Sequence, residues 1–173
     1  MTREKELLQQ IKKGDTSGFE ELVSMYYSDI LRYCIYHCPD KETAKDAVQE
    51  TFLKVYKYFP RYQNQGRFRA FLYKVAANTC TDMWRKRKDV LPEEEMEDLE
   101  YQEMGYARSE ADIGFLQMVR RLTEEQREIV YLKFAQELAL REIAQVMGLP
   151  MRTVQSRLRA AQQNIKKEIG KEM

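Results

Sequence analysis

The sequence predicts an all-α protein: two small helical domains joined by an acidic, flexible linker, the second of them a helix-turn-helix domain. Three observations carry this. Only 7 glycines and 4 prolines punctuate a 173-residue chain that is 43% hydrophobic and 33% charged, a balance that favours helices over sheets. Apolar residues recur at helical spacing, with no strand-like alternation in the first half. Between Asp89 and Asp112 the composition turns abruptly acidic, with Arg108 the only base. The expected boundaries are therefore 1–88 for the first domain, 89–112 for the linker and 113–173 for the second.

The elements follow in order. Leu7, Leu8 and Ile11 mark a short first helix, ended near Gly14. Asp15, Thr16 or Ser17 can cap the next, whose stripe runs Phe19, Leu22, Val23, Tyr26, Ile30, Tyr33, Cys34 and Cys38 up to Pro39. Asp40 caps a third helix on Ala44, Ala47, Val48, Thr51, Phe52, Val55, Tyr56 and Phe59, stopped by Pro60. After the polar loop Tyr62–Gly66, a fourth helix uses Phe68, Phe71, Leu72, Val75, Ala76, Thr79, Cys80 and Met83. Such helices can bury one small but sufficient core. The linker follows, starting with Leu91 and Pro92. Ile113, Leu116, Val119 and Leu122 open the second domain, and Thr123 with Gln126 forms a capping box before a helix on Ile129, Val130, Leu132, Lys133 and Phe134.

The chain closes on Ala139–Ala160. Leu140, Ile143 and Met147 stripe a short helix, and Ala144 is small where a second helix crosses. Gly148 takes the left-handed turn, Leu149 re-enters the core and Pro150 precedes the next helix. Val154 and Leu158 form that helix's buried side. Its other side carries Arg152, Thr153, Gln155, Ser156, Arg157 and Arg159, side chains of the kind that reach base edges and phosphates in a major groove. Lys166, Lys167 and Lys171 prolong the basic side.

A net charge of only +1 argues at first against a nucleic-acid binder, but the average hides the distribution. From Lys57 to Lys88 the only acid is Asp82, against nine bases. Arg67–Lys88 mixes bases with Phe68, Phe71, Tyr73 and Trp84, a combination suited to single strands because an unstacked base finds a flat ring and its phosphate a cation, although most of these rings fit the buried stripe and core packing alone explains Phe68 and Phe71. Asn78, Asp82 and Arg85 share one face there, with Arg85 to Lys88 placed to grip phosphates. Asp46, Gln49, Glu50 and Lys54 line the polar side of the third helix, which reads as a solvated face or a docking surface for another helical protein.

Other classes find little support. There is one histidine, no glycine-rich phosphate loop, no HExxH pair and no nucleophile context, so no enzymatic activity, cofactor or metal is expected. Cys34, His37, Cys38 and Cys80 match no standard zinc spacing, and the three thiols fall on apolar stripes. No apolar run is long enough to span a bilayer and the N-terminus lacks a signal-peptide pattern, so a cytoplasmic protein without membrane insertion of its own is expected. A helix-turn-helix regulator with a helical sensing or dimerising module accounts equally for Ala139–Ala160, but not for a first domain with its own outward Asn78, Asp82 and Arg85.

Taken together, the chain resembles a bacterial RNA polymerase sigma factor of the extracytoplasmic-function (ECF) type, from about Gly14 to Lys167. The resemblance rests on Gly14-Asp15 with Phe19-Glu20-Glu21-Leu22 and Tyr26-Tyr27; on Ala44–Val55; on Phe68-Arg69-Ala70-Phe71-Leu72-Tyr73 with Ala76, Asn78, Asp82 and Arg85; and on Glu142-Ile143-Ala144 with Gly148 and Thr153–Leu158. It implies that Asp46, Gln49, Glu50, Phe52 and Leu53 dock on core RNA polymerase. It implies that Arg67, Arg69, Tyr73, Lys74, Asn78, Asp82, Arg85, Lys86, Arg87 and Lys88 engage the −10 element and its melted non-template strand. Arg152, Thr153, Gln155, Ser156, Arg157 and Arg159 would engage the −35 duplex, and an anti-sigma factor is the implied antagonist. The chain departs from the family pattern at Lys45, Ala77, Met151-Arg152, Gln155 and Ala160.

Overall fold

The computed structural model describes residues 2–63, 67–90 and 117–172, the side chains of 87–90 and 171–172 excepted. The chain divides into two compact units, Met1–Glu103 and Met104–Met173. Every described element in both is helical.

In the first unit, α1 (Arg3–Lys12) is capped by Thr2, whose side chain accepts from the Lys5 amide, and it buries Leu7, Leu8 and Ile11. Gly14, at φ 101°, turns the chain. Asp15 then caps a 3₁₀ turn (Thr16–Gly18) rather than a full helix, accepting from the Ser17 amide at 3.1 Å. Gly18 sits where α1 presses closest: a Cβ there would lie 2.7 Å from Leu7 Cδ2. α2 (Phe19–His37) starts directly from Gly18 with no side-chain cap, so Asp15 acts one turn earlier than its sequence position predicts. Its inner side is Leu22, Tyr26, Ile30, Tyr33 and Cys34, as the periodicity requires.

Asp40 caps α3 (Lys41–Tyr58), accepting from the Thr43 amide at 2.7 Å. Ala44, Ala47, Val48, Thr51, Phe52 and Val55 face inward. Thr51 is fully buried, and its hydroxyl is satisfied by donating to Ala47 O at 2.6 Å. Tyr56, predicted on this stripe, turns outward and is exposed. Pro60 sits in a 3₁₀ turn (Phe59–Arg61) that ends the helix. α4 (Phe68–Val90) packs against both α2 and α3. Tyr62 and Phe71 rings lie 4.7 Å apart, with Phe59 and Phe68 each within 6 Å of Tyr62, so an aromatic cluster fixes both ends of the loop before α4. Burial, with the Glu4 carboxylate nearby, pushes the Tyr62 phenol up to about 12.

In the second unit, Val119 and Leu122 are buried. Ile113 and Leu116, like the acidic stretch 91–112, lie outside the described residues. Thr123 opens α5 (Glu124–Val130) with both bonds of the predicted capping box. The sequence predicts an ordinary helix through Phe134, but its last turn widens into a π turn over Tyr131–Ala135. The widening is held by the Gln136 amide bonding to Tyr131 O and by buried Gln136 Nε2 donating to the Tyr131 hydroxyl at 2.8 Å. α6 (Leu140–Met147) has no side-chain oxygen at its cap; instead the Glu142 carboxylate reaches back to the Ala139 amide at 3.0 Å. Its buried residues are Ile143 and Val146, while Leu140 and Met147 of the predicted stripe are half-buried: in a two-turn helix the inner line passes between positions three and four apart. Gly148 takes φ 66°, ψ 33° as predicted, and α7 (Met151–Glu172) follows Pro150. Val154, Leu158 and Ala161 seat α7 on the unit's core.

Candidate nucleic-acid and protein-docking surfaces

α7 offers the cleanest surface. With Val154, Leu158 and Ala161 inward, Arg152, Gln155, Ser156 and Arg159 are all exposed and share one face at spacings of three, one and three residues. Thr153 is half-buried, and Arg157, four residues on, flanks that face. The Arg157 guanidinium pairs with the Glu125 carboxylate at the start of α5. Five of the six predicted positions are therefore exposed, Arg157 among them being the one drawn to Glu125 of α5, and Thr153 is half-buried.

α4 is different because it is packed from two sides. Arg67 just before it and Lys74, Asn78, Asp82, Arg85 and Lys86 along it are exposed, and Arg69 is half-buried. Asp82 is not a solitary acceptor: Lys54 of α3 approaches it at 3.8 Å and bonds Thr79 Oγ1 at 3.2 Å. Tyr73 corrects the sequence expectation. It is 1% exposed and meets Tyr33 edge-on at 5.5 Å, so it is core and offers no ring to a nucleic-acid base. Periodicity alone could have shown this, since Tyr73 lies three residues before the buried Ala76. Trp84 is half-buried, its Nε1–H donating to His37 O at 2.6 Å. The side chains of Arg87 and Lys88 lie outside the described residues.

On α3, Asp46, Gln49 and Leu53 are exposed and Glu50 is half-buried. Phe52 is a second correction: it is buried, its ring stacked on Tyr27 with centroids 6.4 Å apart, because it continues the Val48–Val55 stripe. The outward apolar contact available beside it is Tyr27, 41% exposed, with Leu53 at 47%. Sequence reading missed Tyr27. Its signal was the Tyr26-Tyr27 doublet, in which only one ring can fit a single helical stripe.

Comparison with known proteins fixes the family. The Sigma-70 region 2 family matches residues 22–90 and the Sigma-70 region 4 family matches residues 114–164; together they span more than half of the chain. The chain is similar to the ECF RNA polymerase sigma factor SigW of Bacillus subtilis, 28% identical across 95% of this chain and 96% of the relative. The chain belongs to the ECF family of RNA polymerase sigma factors. It is also 28% identical to the RNA polymerase sigma-H factor of Pseudomonas aeruginosa, over 96% of this chain and 94% of that one. Among solved structures the fold is that of CnrH, determined in complex with the cytosolic domain of CnrY (TM-score 0.69, 18% identity, 96% of this chain and 97% of that one). It is equally that of the sigma factor RpoE of Bartonella quintana, determined with the anti-sigma factor NepR (TM-score 0.65, 19% identity, 88% and 96%). In this sigma factor α3 and α4 fall in the region 2 match, and α5, α6 and α7 begin in the region 4 match. Among the described residues no helix is long and apolar enough to cross a membrane.

Proposed function

We propose that this ECF sigma factor brings core RNA polymerase to promoters by three surfaces. The exposed side of α3, with Asp46, Gln49, Glu50 and Leu53, and Tyr27 beside it on α2, docks on the polymerase. Lys74, Asn78, Asp82 and Arg85 of α4 hold an unpaired base of the −10 element, while Arg67, Arg69, Lys86, Arg87 and Lys88 steady the phosphates of the melted non-template strand. Arg152, Gln155, Ser156 and Arg159 enter the major groove of the −35 duplex, with Arg157 and Thr153 on the groove wall. The polymerase performs the bond chemistry, and the sigma factor supplies promoter choice and melting. It works in the cytoplasm, where an anti-sigma factor holds it inactive, as the Bartonella quintana protein is bound by NepR.

The observation that carries this reading is the division of α7: three small or branched apolar residues inward, four polar and basic residues fully outward. A helix seated that way presents a continuous strip to a groove. The test is run-off transcription with core RNA polymerase on a pool of promoter fragments. Specific starts that depend on the protein and disappear in Asn78→Ala and in Gln155→Ala are expected. Specific duplex binding by the protein alone, with no association with polymerase, would overturn the reading in favour of a two-domain regulator.

A further inference from the structure

Three thiols meet inside the first unit, away from the surfaces above. Cys34 lies in the last turn of α2, Cys38 closes that helix, and Cys80 faces them from the middle of α4. Cys80 Sγ is 3.8 Å from Cys34 Sγ and 3.9 Å from Cys38 Sγ. The three residues are 0%, 1% and 3% exposed and are present as thiols. Buried thiols often serve as small hydrophobes. Here, however, one sulfur touches two others across a helix–helix contact, the arrangement that lets either of two partners complete a disulfide. Among the described residues no group of histidine, cysteine and acidic side chains is placed to hold a metal ion, which directs the reading to sulfur–sulfur chemistry. The same corner is closed by the Trp84 Nε1–H bond to His37 O.

We propose that Cys80 is a redox-modification site, oxidised by a hydroperoxide to a disulfide with Cys34 or Cys38 that crosslinks α2 to α4. One thiolate attacks the peroxide O–O bond, forming an S–O bond and releasing an alcohol or water. The second sulfur then attacks that sulfenic sulfur, and its oxygen leaves as water. Both thiol protons end on the released oxygens; the peroxide gains two electrons and the sulfur pair loses two. The sulfurs must close from van der Waals contact to about 2 Å, which draws the middle of α4 toward the end of α2. Cys80 lies two residues from Asn78 and two from Asp82, on the opposite side of α4, so the crosslink displaces the face assigned to the unpaired base. That last consequence rests on the proposed function; the disulfide itself does not. Because the thiols are buried, oxidant enters only when the corner opens locally, and the reaction is faster in sub-denaturing urea than in buffer.

The test treats the full, reduced chain with hydrogen peroxide under native conditions, then maps it by intact mass and peptide analysis. Trp84 is the only tryptophan, so its emission reads the same corner. The expected result is a mass lower by two hydrogens, a Cys80 peptide joined to one carrying Cys34 or Cys38, and a Trp84 emission change, all reversed by dithiothreitol. The bond persists in Cys34→Ala and in Cys38→Ala and is lost in Cys80→Ala; the wild-type map stands even where a variant fails to fold. Oxygen addition without crosslinking, a Cys34–Cys38 bond, a bond between molecules, or reaction only after global unfolding would each overturn the proposal. With core polymerase, the oxidised protein is expected to lose most promoter opening. An intramolecular disulfide that leaves opening unchanged overturns the coupling to α4, whereas a reduced protein that directs no transcription overturns the proposed function instead.

Discussion

α4 and α7 are both long helices rich in arginine and lysine, 23 and 22 residues, yet they use their sides differently. α7 buries one narrow line, Val154–Leu158–Ala161, while Thr153, Ile165 and Glu168 are half-buried and most of its other side chains are exposed. α4 is clasped by α2 and α3, so Phe68, Ala70, Leu72, Tyr73, Ala76, Thr79 and Cys80 all turn inward, and Lys54 reaches across to Asp82. A run of bases and aromatics therefore has two meanings. On α7 the exposed positions act as a strip. On α4 the aromatics hold the helix in place and only the polar residues between them remain outward.

The largest effect that would break this contrast is at Tyr73. Tyr73→Ala is expected to cost about 3–5 kcal/mol of folding stability, on the scale of other buried aromatic truncations. Urea unfolding measures it; an unchanged midpoint with weakened single-strand binding would return Tyr73 to the surface. Next in size are Gln155→Ala and Arg152→Ala. Each is expected to leave the urea midpoint unchanged while weakening promoter binding by about 1–3 kcal/mol if its side chain makes a paired contact with a base. Titration of polymerase complexes on matched and mismatched −35 duplexes distinguishes the two positions.

A smaller effect belongs to the cap that starts α5. Thr123→Ala removes one bond of the capping box and is expected to cost about 1 kcal/mol in the second unit, read as a lowered thermal midpoint. The smallest lies at the surface of the first unit. The Arg3 guanidinium, 2.7 Å from Glu21, holds that carboxyl below its ordinary 4.5. A depressed carboxyl contributes stability above its unfolded value and loses it as pH falls through its folded value, so the midpoint should drop slightly on acidification. Glu21→Gln should remove that part of the pH dependence, and a full-sized slope in the variant would assign it to another group.

Much of this was legible in the sequence because the signals were local. Asp40, Thr123 and Gly148 do what their residue types do at helix ends, and the α2 and α3 stripes bury nearly the residues that periodicity selects. The errors arose where a neighbouring element decides. Asp15 caps a 3₁₀ turn that runs straight into α2, and Gly18 at the end of that turn lies against Leu7 of α1. The π turn after α5 depends on buried Gln136 meeting Tyr131, a polar pair that hydrophobic spacing does not see. Tyr73 and Phe52 received their outward roles from the family resemblance, whereas both fall on inward-facing positions of their helices and α2 supplies Tyr33 and Tyr27 to receive them. Arg157 was legible as a base but not as the partner of Glu125, which lies in another helix.

The central claim is that α4 opens the promoter while α7 anchors it. Permanganate footprinting of the −10 thymines, run beside duplex binding in complexes with core polymerase, tests it directly. Asn78→Ala is expected to retain binding but lose thymine reactivity, and Gln155→Ala to lose both, with reactivity returning at high polymerase concentration. Equal loss of binding in both variants, or full thymine reactivity in Asn78→Ala, would contradict the division.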